Sequence, residues 1–174
     1  LKFSNPVLGV LAGALLTAVI QSSSASVGIL QALCVTGAVR YGAALPIIMG
    51  QNIGTCITAM LSSIGATKNA KRAAIVHLYF NIVGTVTFMV VFYVLNGFYI
   101  SLSLKKLAGP AGIAVIHSAF NIIATLVLLP FGDMLVKMAC ATVRDTKEEK
   151  VISAEDQEFM ILESRFLSNP GIAI

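Results

Sequence analysis

Residues 1–132 contain no aspartate or glutamate, yet they carry Lys2, Arg40, Lys68, Lys71, Arg72, Lys105 and Lys106. The acids are confined to the tail, where residues 133–174 hold eight of them against five basic residues. A chain that is 57% hydrophobic and 11% charged, with mean hydropathy +0.88, is built for a bilayer rather than for water. Its formal net charge of +4 is therefore no nucleic-acid signature, and no basic patch interleaved with aromatics supports that reading. Into the acid-free stretch is set the polar string Gln21-Ser22-Ser23-Ser24. Amides and hydroxyls are costly in hydrocarbon unless satisfied, so the string marks a candidate site. No nearby carboxylate repels an anion there, and a bound cation would have to use neutral oxygens.

The apolar stretch from Pro6 to Val39 is divided by that string. Its arms, Val7–Ile20 and Ser26–Val39, have 14 residues each. Each arm is about 21 Å long as helix, against the roughly 30 Å of a full crossing. A re-entrant helical hairpin, turning at Gln21–Ser24 near mid-depth and leaving on the side it entered, satisfies both lengths; the rival is one tilted helix of 34 residues. Three spans follow, at 42–65, 73–95 and 111–131. In the first of them, Pro46 and Gly50-Gln51-Asn52-Ile53-Gly54-Thr55 predict central unwinding, although Gly50-x-x-x-Gly54 reads equally as close helix packing. The other two share a pattern at an offset of 40 residues: His77, Asn81 and Thr85 against His117, Asn121 and Thr125. A spacing of four puts each trio along one helix face. Interhelical hydrogen bonding explains the two histidines without a metal or proton relay.

Cys34, Cys56 and Cys140 are too few and too scattered for a disulfide framework or metal knuckle and read as small hydrophobes. The start at Leu1, with no signal peptide ahead of the first apolar run, reads as a piece of a longer polypeptide. The basic cluster Lys68, Lys71 and Arg72 predicts a cytoplasmic loop between the spans at 42–65 and 73–95, hence a cytoplasmic tail and a hairpin open to the exterior. In the tail, 141–174, a helix is expected over Ser153–Leu167, ending at Asn169-Pro170-Gly171.

The string Gln21-Ser22-Ser23-Ser24 followed by Gly50-Gln51-Asn52-Ile53-Gly54-Thr55 resembles the type II sodium–phosphate cotransporter family over roughly residues 5–132. The tail segment Leu162–Pro170 is similar to the start of the PhoU-like helical domain that bacterial members carry. The resemblance implies an all-α integral membrane fold: a re-entrant hairpin plus three transmembrane helices, forming one half, the second repeat, of an inverted-repeat transporter over residues 1–140. One Gln-Ser-Ser-Ser string is present where the family has two, so the chain is expected to hold half a site.

The expected function is sodium-coupled phosphate symport across the plasma membrane. Gln21, Ser22, Ser23 and Ser24 are candidates for phosphate, and Gln21, Ser22, Gln51, Asn52, Thr55 and Asn81 for sodium. Ser26, Thr58 and Asn121 stand behind them. Hydroxyls and half-helix N-termini suit an oxyanion. Sodium, a hard cation, suits neutral oxygens. The expected partners are inorganic phosphate, sodium as coupling ion, the lipid bilayer, a first inverted repeat and a PhoU-like domain, with no cofactor. A non-transporting anchor for a PhoU-like regulator and a passive anion channel are the alternatives. Without a carboxylate or a Ser–His–Asp or Cys–His arrangement in the membrane part, an enzyme is not expected.

Overall fold

The computed structural model describes residues 5–95 and 105–144. The chain divides into two compact units, 1–142 and 143–174, and the architecture below belongs to the first. The tail helix expected at Ser153–Leu167 and the PhoU-like segment lie outside the described residues.

The first unit is helical: α1 (Pro6–Ile20), α2 (Ser23–Val35), α3 (Tyr41–Ser62), α4 (Lys68–Leu95), α5 (Pro110–Leu128), a 3-10 turn (Leu129–Phe131) and α6 (Gly132–Thr142). α3, α4 and the run from α5 through α6 are long and apolar enough to cross a membrane; α1 and α2 are shorter apolar helices. Much of the exterior is apolar. Val7, Leu11, Leu15 and Val19 on α1 are exposed, as are Val115, Ile122 and Leu126 on α5. An outer surface of that kind matches hydrocarbon rather than water.

The polar string does break the first apolar stretch, which excludes the single helix of 34 residues. The break is narrower than expected. It occupies Gln21 and Ser22, while Ser23 and Ser24 already belong to the first turn of α2. Gln21 caps α1 in the left-handed conformation at φ 58°, ψ 23°, its N–H donating to the Thr17 carbonyl at 2.7 Å. Ser22 then N-caps α2, its hydroxyl accepting from the Ala25 N–H at 3.3 Å. The chain reverses here, because Thr17 and Ser26 meet across the turn at 2.8 Å.

The expected unwinding at Gly50–Thr55 is corrected: α3 is unbroken from Tyr41 to Ser62 and carries Pro46 within it. The glycines serve packing instead. A Cβ on Gly50 would collide with the Val10 carbonyl oxygen, one on Gly54 with the Ala14 carbonyl, and one on Gly13 with the Ile47 carbonyl. α1 and α3 thus approach backbone to backbone, which only residues lacking a side chain allow.

Two further ties close the unit. Arg40 and Leu107 form an isolated antiparallel bridge, with the Tyr41 N–H donating to the Lys106 carbonyl at 3.1 Å and the Ala108 N–H to the Val39 carbonyl at 2.9 Å. Gln31 Nε2 on α2 donates to the Pro110 carbonyl at the start of α5 at 3.0 Å. These ties set the end of α2 and the starts of α3 and α5 at one end of the bundle. The core between the helices is filled by residues such as Leu30, Ile48, Met49, Ile113 and Phe120, with Phe88 edge-on to Phe120 at 5.4 Å.

Candidate functional site

The site is assembled from the turn outward. α1 ends because its last carbonyls meet a residue in the left-handed region, and α2 begins because Ser22 offers a hydroxyl at the N-cap. The first N–H groups of α2 therefore lie at the turn, where a helix leaves its donors without intrahelical partners and carries partial positive charge. Around them, Gln21 and Ser24 are exposed, Ser22 and Ser23 are half-buried, and the hydroxyls of Ser22 and Ser24 lie 3.3 Å apart. The four residues expected to meet an anion thus share one small, accessible surface.

One turn behind it lies a buried polar group. Thr17 Oγ1 donates to Ser26 Oγ at 2.8 Å. Gln51 Nε2 donates to Ser26 Oγ at 2.8 Å and to the Ser26 carbonyl at 2.9 Å. All three residues are fully buried, and Gln51 Oε1 finds no partner among the described residues. Thr17 escaped the sequence reading. A signal was present in Gly9, Gly13 and Thr17, which recur every fourth residue and all turn out buried.

The remaining expected residues fall into a second group. Asn52 on α3 and Asn81 on α4 are buried, and each donates its amide to its own helix, to the carbonyls of Ile48 at 3.1 Å and His77 at 3.0 Å. Asn121 on α5 does the same to His117 at 2.8 Å and also reaches Asn52 Oδ1 at a long 3.4 Å. Thr55 and Thr58 bond back to the carbonyls of Gln51 and Thr55. No hydrogen bond among the described residues links this group directly to the side chains of Gln21–Ser24. The shared His-Asn-Thr pattern repeats the asparagine bond but not the threonine environment: Thr85 is buried, its hydroxyl without a partner among the described residues, while Thr125 is exposed and bonds the Asn121 carbonyl. His117 Nε2 is also buried without a partner among the described residues. Among those residues, no three of His, Cys, Asp and Glu gather as metal ligands would.

Residues 2–140 match the Na+/Pi-cotransporter family. Among curated relatives, the chain is 33% identical to YqeW of Bacillus subtilis over 129 residues, 74% of this chain and 41% of that protein. It is 30% identical to YjbB of Escherichia coli K12, named for inorganic phosphate export, over 143 residues, 81% of this chain and 25% of YjbB. To the human sodium-dependent phosphate transport protein 2B it is 43% identical over 84 residues, 45% of this chain and 12% of that protein. The chain spans less than half the length of each of these relatives. No solved structure matches it.

Proposed function

The chain belongs to the Na+/Pi-cotransporter family, and from that membership we propose that it forms one repeat of a sodium-coupled phosphate symporter. The observation that carries the reading is the turn at Gln21–Ser22, where a half-helix N-terminus and three serine hydroxyls are gathered on an accessible surface. Donors of that kind recognise a phosphate oxyanion, and the acid-free surroundings offer it no repulsion. Asn52, Asn121, Asn81 and Thr55 supply neutral oxygens for sodium, and Gln51, whose amide nitrogen is tied to Ser26, has an Oε1 with no partner among the described residues. In the bilayer, α1 and α2 form a re-entrant hairpin whose tip lies near mid-depth, and a second repeat of inverted topology supplies the facing half of the site.

The orientation rests on the far side of the bundle. The bridge at Arg40 brings that residue to the same end as Lys105 and Lys106, so three basic residues there balance Lys68, Lys71 and Arg72 at the other end. Lys137 beyond α5, with Arg144, Lys147 and Lys150 after it in sequence, outweighs Lys2 ahead of α1 and supports a cytoplasmic Lys68 end and tail.

The test is phosphate flux in vesicles holding the intact transporter, with the sodium gradient imposed in either direction. Phosphate is expected to follow sodium, and Ser22→Ala, Ser23→Ala and Gln21→Ala to cut that flux while membrane insertion stays normal. Wild-type flux in all three variants at matched abundance would remove the turn from the anion site. Phosphate leaving regardless of sodium would favour export, the activity in the name of YjbB.

A further inference from the structure

The turn stands on three residues to which the reading above gives no contact with phosphate. Thr17, Ser26 and Gln51 come from α1, α2 and α3, and all are fully buried. Their hydroxyls and amide form one connected set at 2.8–2.9 Å. Two of the three are also bonded to the turn through backbone. Thr17 sits four residues before Gln21 and accepts its N–H at 2.7 Å; Ser26 sits four residues after Ser22 and gives its N–H to the Ser22 carbonyl at 3.0 Å. Each half of the turn is thereby anchored to one member, and Gln51 ties the Ser26 side to the long helix α3 through two hydrogen bonds from its amide nitrogen.

What needs holding is Gln21. It is the one non-glycine residue at positive φ among the described residues. An unbranched side chain carrying a Cβ leaves that region unless its surroundings over-determine it, and such residues concentrate at ligand-binding turns.

We infer that Thr17, Ser26 and Gln51 are positioning residues for the anion: they hold the Gln21–Ser22 turn in its left-handed form and act on phosphate through the turn, without contacting it. This rests on the assignment of the turn to phosphate. It differs from a sodium role for Gln51, in which Oε1 would ligate the ion directly.

The experiment uses the intact transporter in vesicles. Thr17→Val keeps the shape and removes the hydroxyl, and Thr17→Ser restores it. Thr17→Val should raise the phosphate concentration for half-maximal flux at saturating sodium by roughly tenfold, the consequence of one buried hydrogen bond lost. The sodium requirement at saturating phosphate should stay at the wild-type value, and Thr17→Ser should recover phosphate affinity. Ser26→Ala provides the same comparison where Thr17→Val does not insert. Amide hydrogen exchange, measured without substrate, should quicken at residues 21–26 and remain unchanged in α4 and α5. The exchange measurement is independent of what the protein carries: if wild type moves no phosphate, the functional reading fails, while faster exchange at the turn still supports the network. Unchanged exchange there overturns it. So does a sodium requirement that shifts as far as the phosphate one, or a Thr17→Ser variant as impaired as Thr17→Val.

Discussion

Asn52, Asn81 and Asn121, on three different helices, meet the cost of a carboxamide in apolar surroundings in the same way. Each amide nitrogen donates to the carbonyl one turn earlier, at 3.1, 3.0 and 2.8 Å. That bond satisfies the donor side locally and holds the oxygen in a set direction, which an unpartnered amide in the same place would not do. The Asn52 oxygen is met by Asn121 at 3.4 Å, a contact long enough to be given up to a better partner. A sodium ion is such a partner, since it needs oxygens and here has no carboxylate to choose. Asn52→Ala in the intact transporter should therefore raise the sodium concentration for half-maximal flux by roughly tenfold, from a loss of about 1–3 kcal/mol on removing one buried partner. Apparent phosphate affinity at saturating sodium should move far less. Titrating sodium at fixed phosphate and then phosphate at fixed sodium separates the two, and a loss confined to phosphate would transfer Asn52 to the anion site.

The contact between α1 and α3 decides where the turn stands, because α1 reaches α3 through glycine on both sides. Gly50→Ala places a methyl group against the Val10 carbonyl, and neither backbone can yield without disturbing its own helix. The expected cost is at least the ~1–3 kcal/mol of overpacking a well-filled core. Gly28→Ala on α2 is the control, since a Cβ there meets nothing within 4 Å. With only helix propensity in play, it should be neutral or stabilise by about 1 kcal/mol. Thermal unfolding in detergent micelles compares the two, and equal behaviour would mean that the α1–α3 contact is looser than its geometry implies. This contact also explains which features could be read from the sequence. Lengths and polarity sufficed for the short arms and for the break between them, since both follow from local composition. At Gly50–Gly54 the same residues served two readings, unwinding and packing, and the choice depended on α1, which lies far away in sequence and supplies Gly9, Gly13 and Thr17. The pairings of Gln51 with Ser26 and of Asn52 with Asn121 are tertiary, spanning 25 and 69 residues, and no local pattern announces them.

A phosphate ion held by the turn alone would meet donors on one side and solvent on the other. Gln21 and Ser24 are exposed, so nothing in the described unit closes over them. An anion sheds its water only where donors replace it, and each charge-assisted hydrogen bond contributes roughly 1.5–3 kcal/mol. Lacking even two such bonds from a facing repeat, the chain should bind phosphate at least about a hundredfold more weakly than the complete site. Coupling would fail as well, because alternating access requires one repeat to move against another around the ion. The 174-residue chain, purified and reconstituted alone, is therefore expected to show no sodium-dependent phosphate accumulation, under conditions where the full-length transporter accumulates it. Two copies inserted in opposite orientations could rebuild the missing wall, so the measurement must be made at protein densities where cross-linking detects only monomer, and again where it detects dimer. Accumulation that tracks the dimer would fit the half-site. Robust accumulation by the strict monomer would show that one repeat is sufficient and that the counterpart has no part in closing the site.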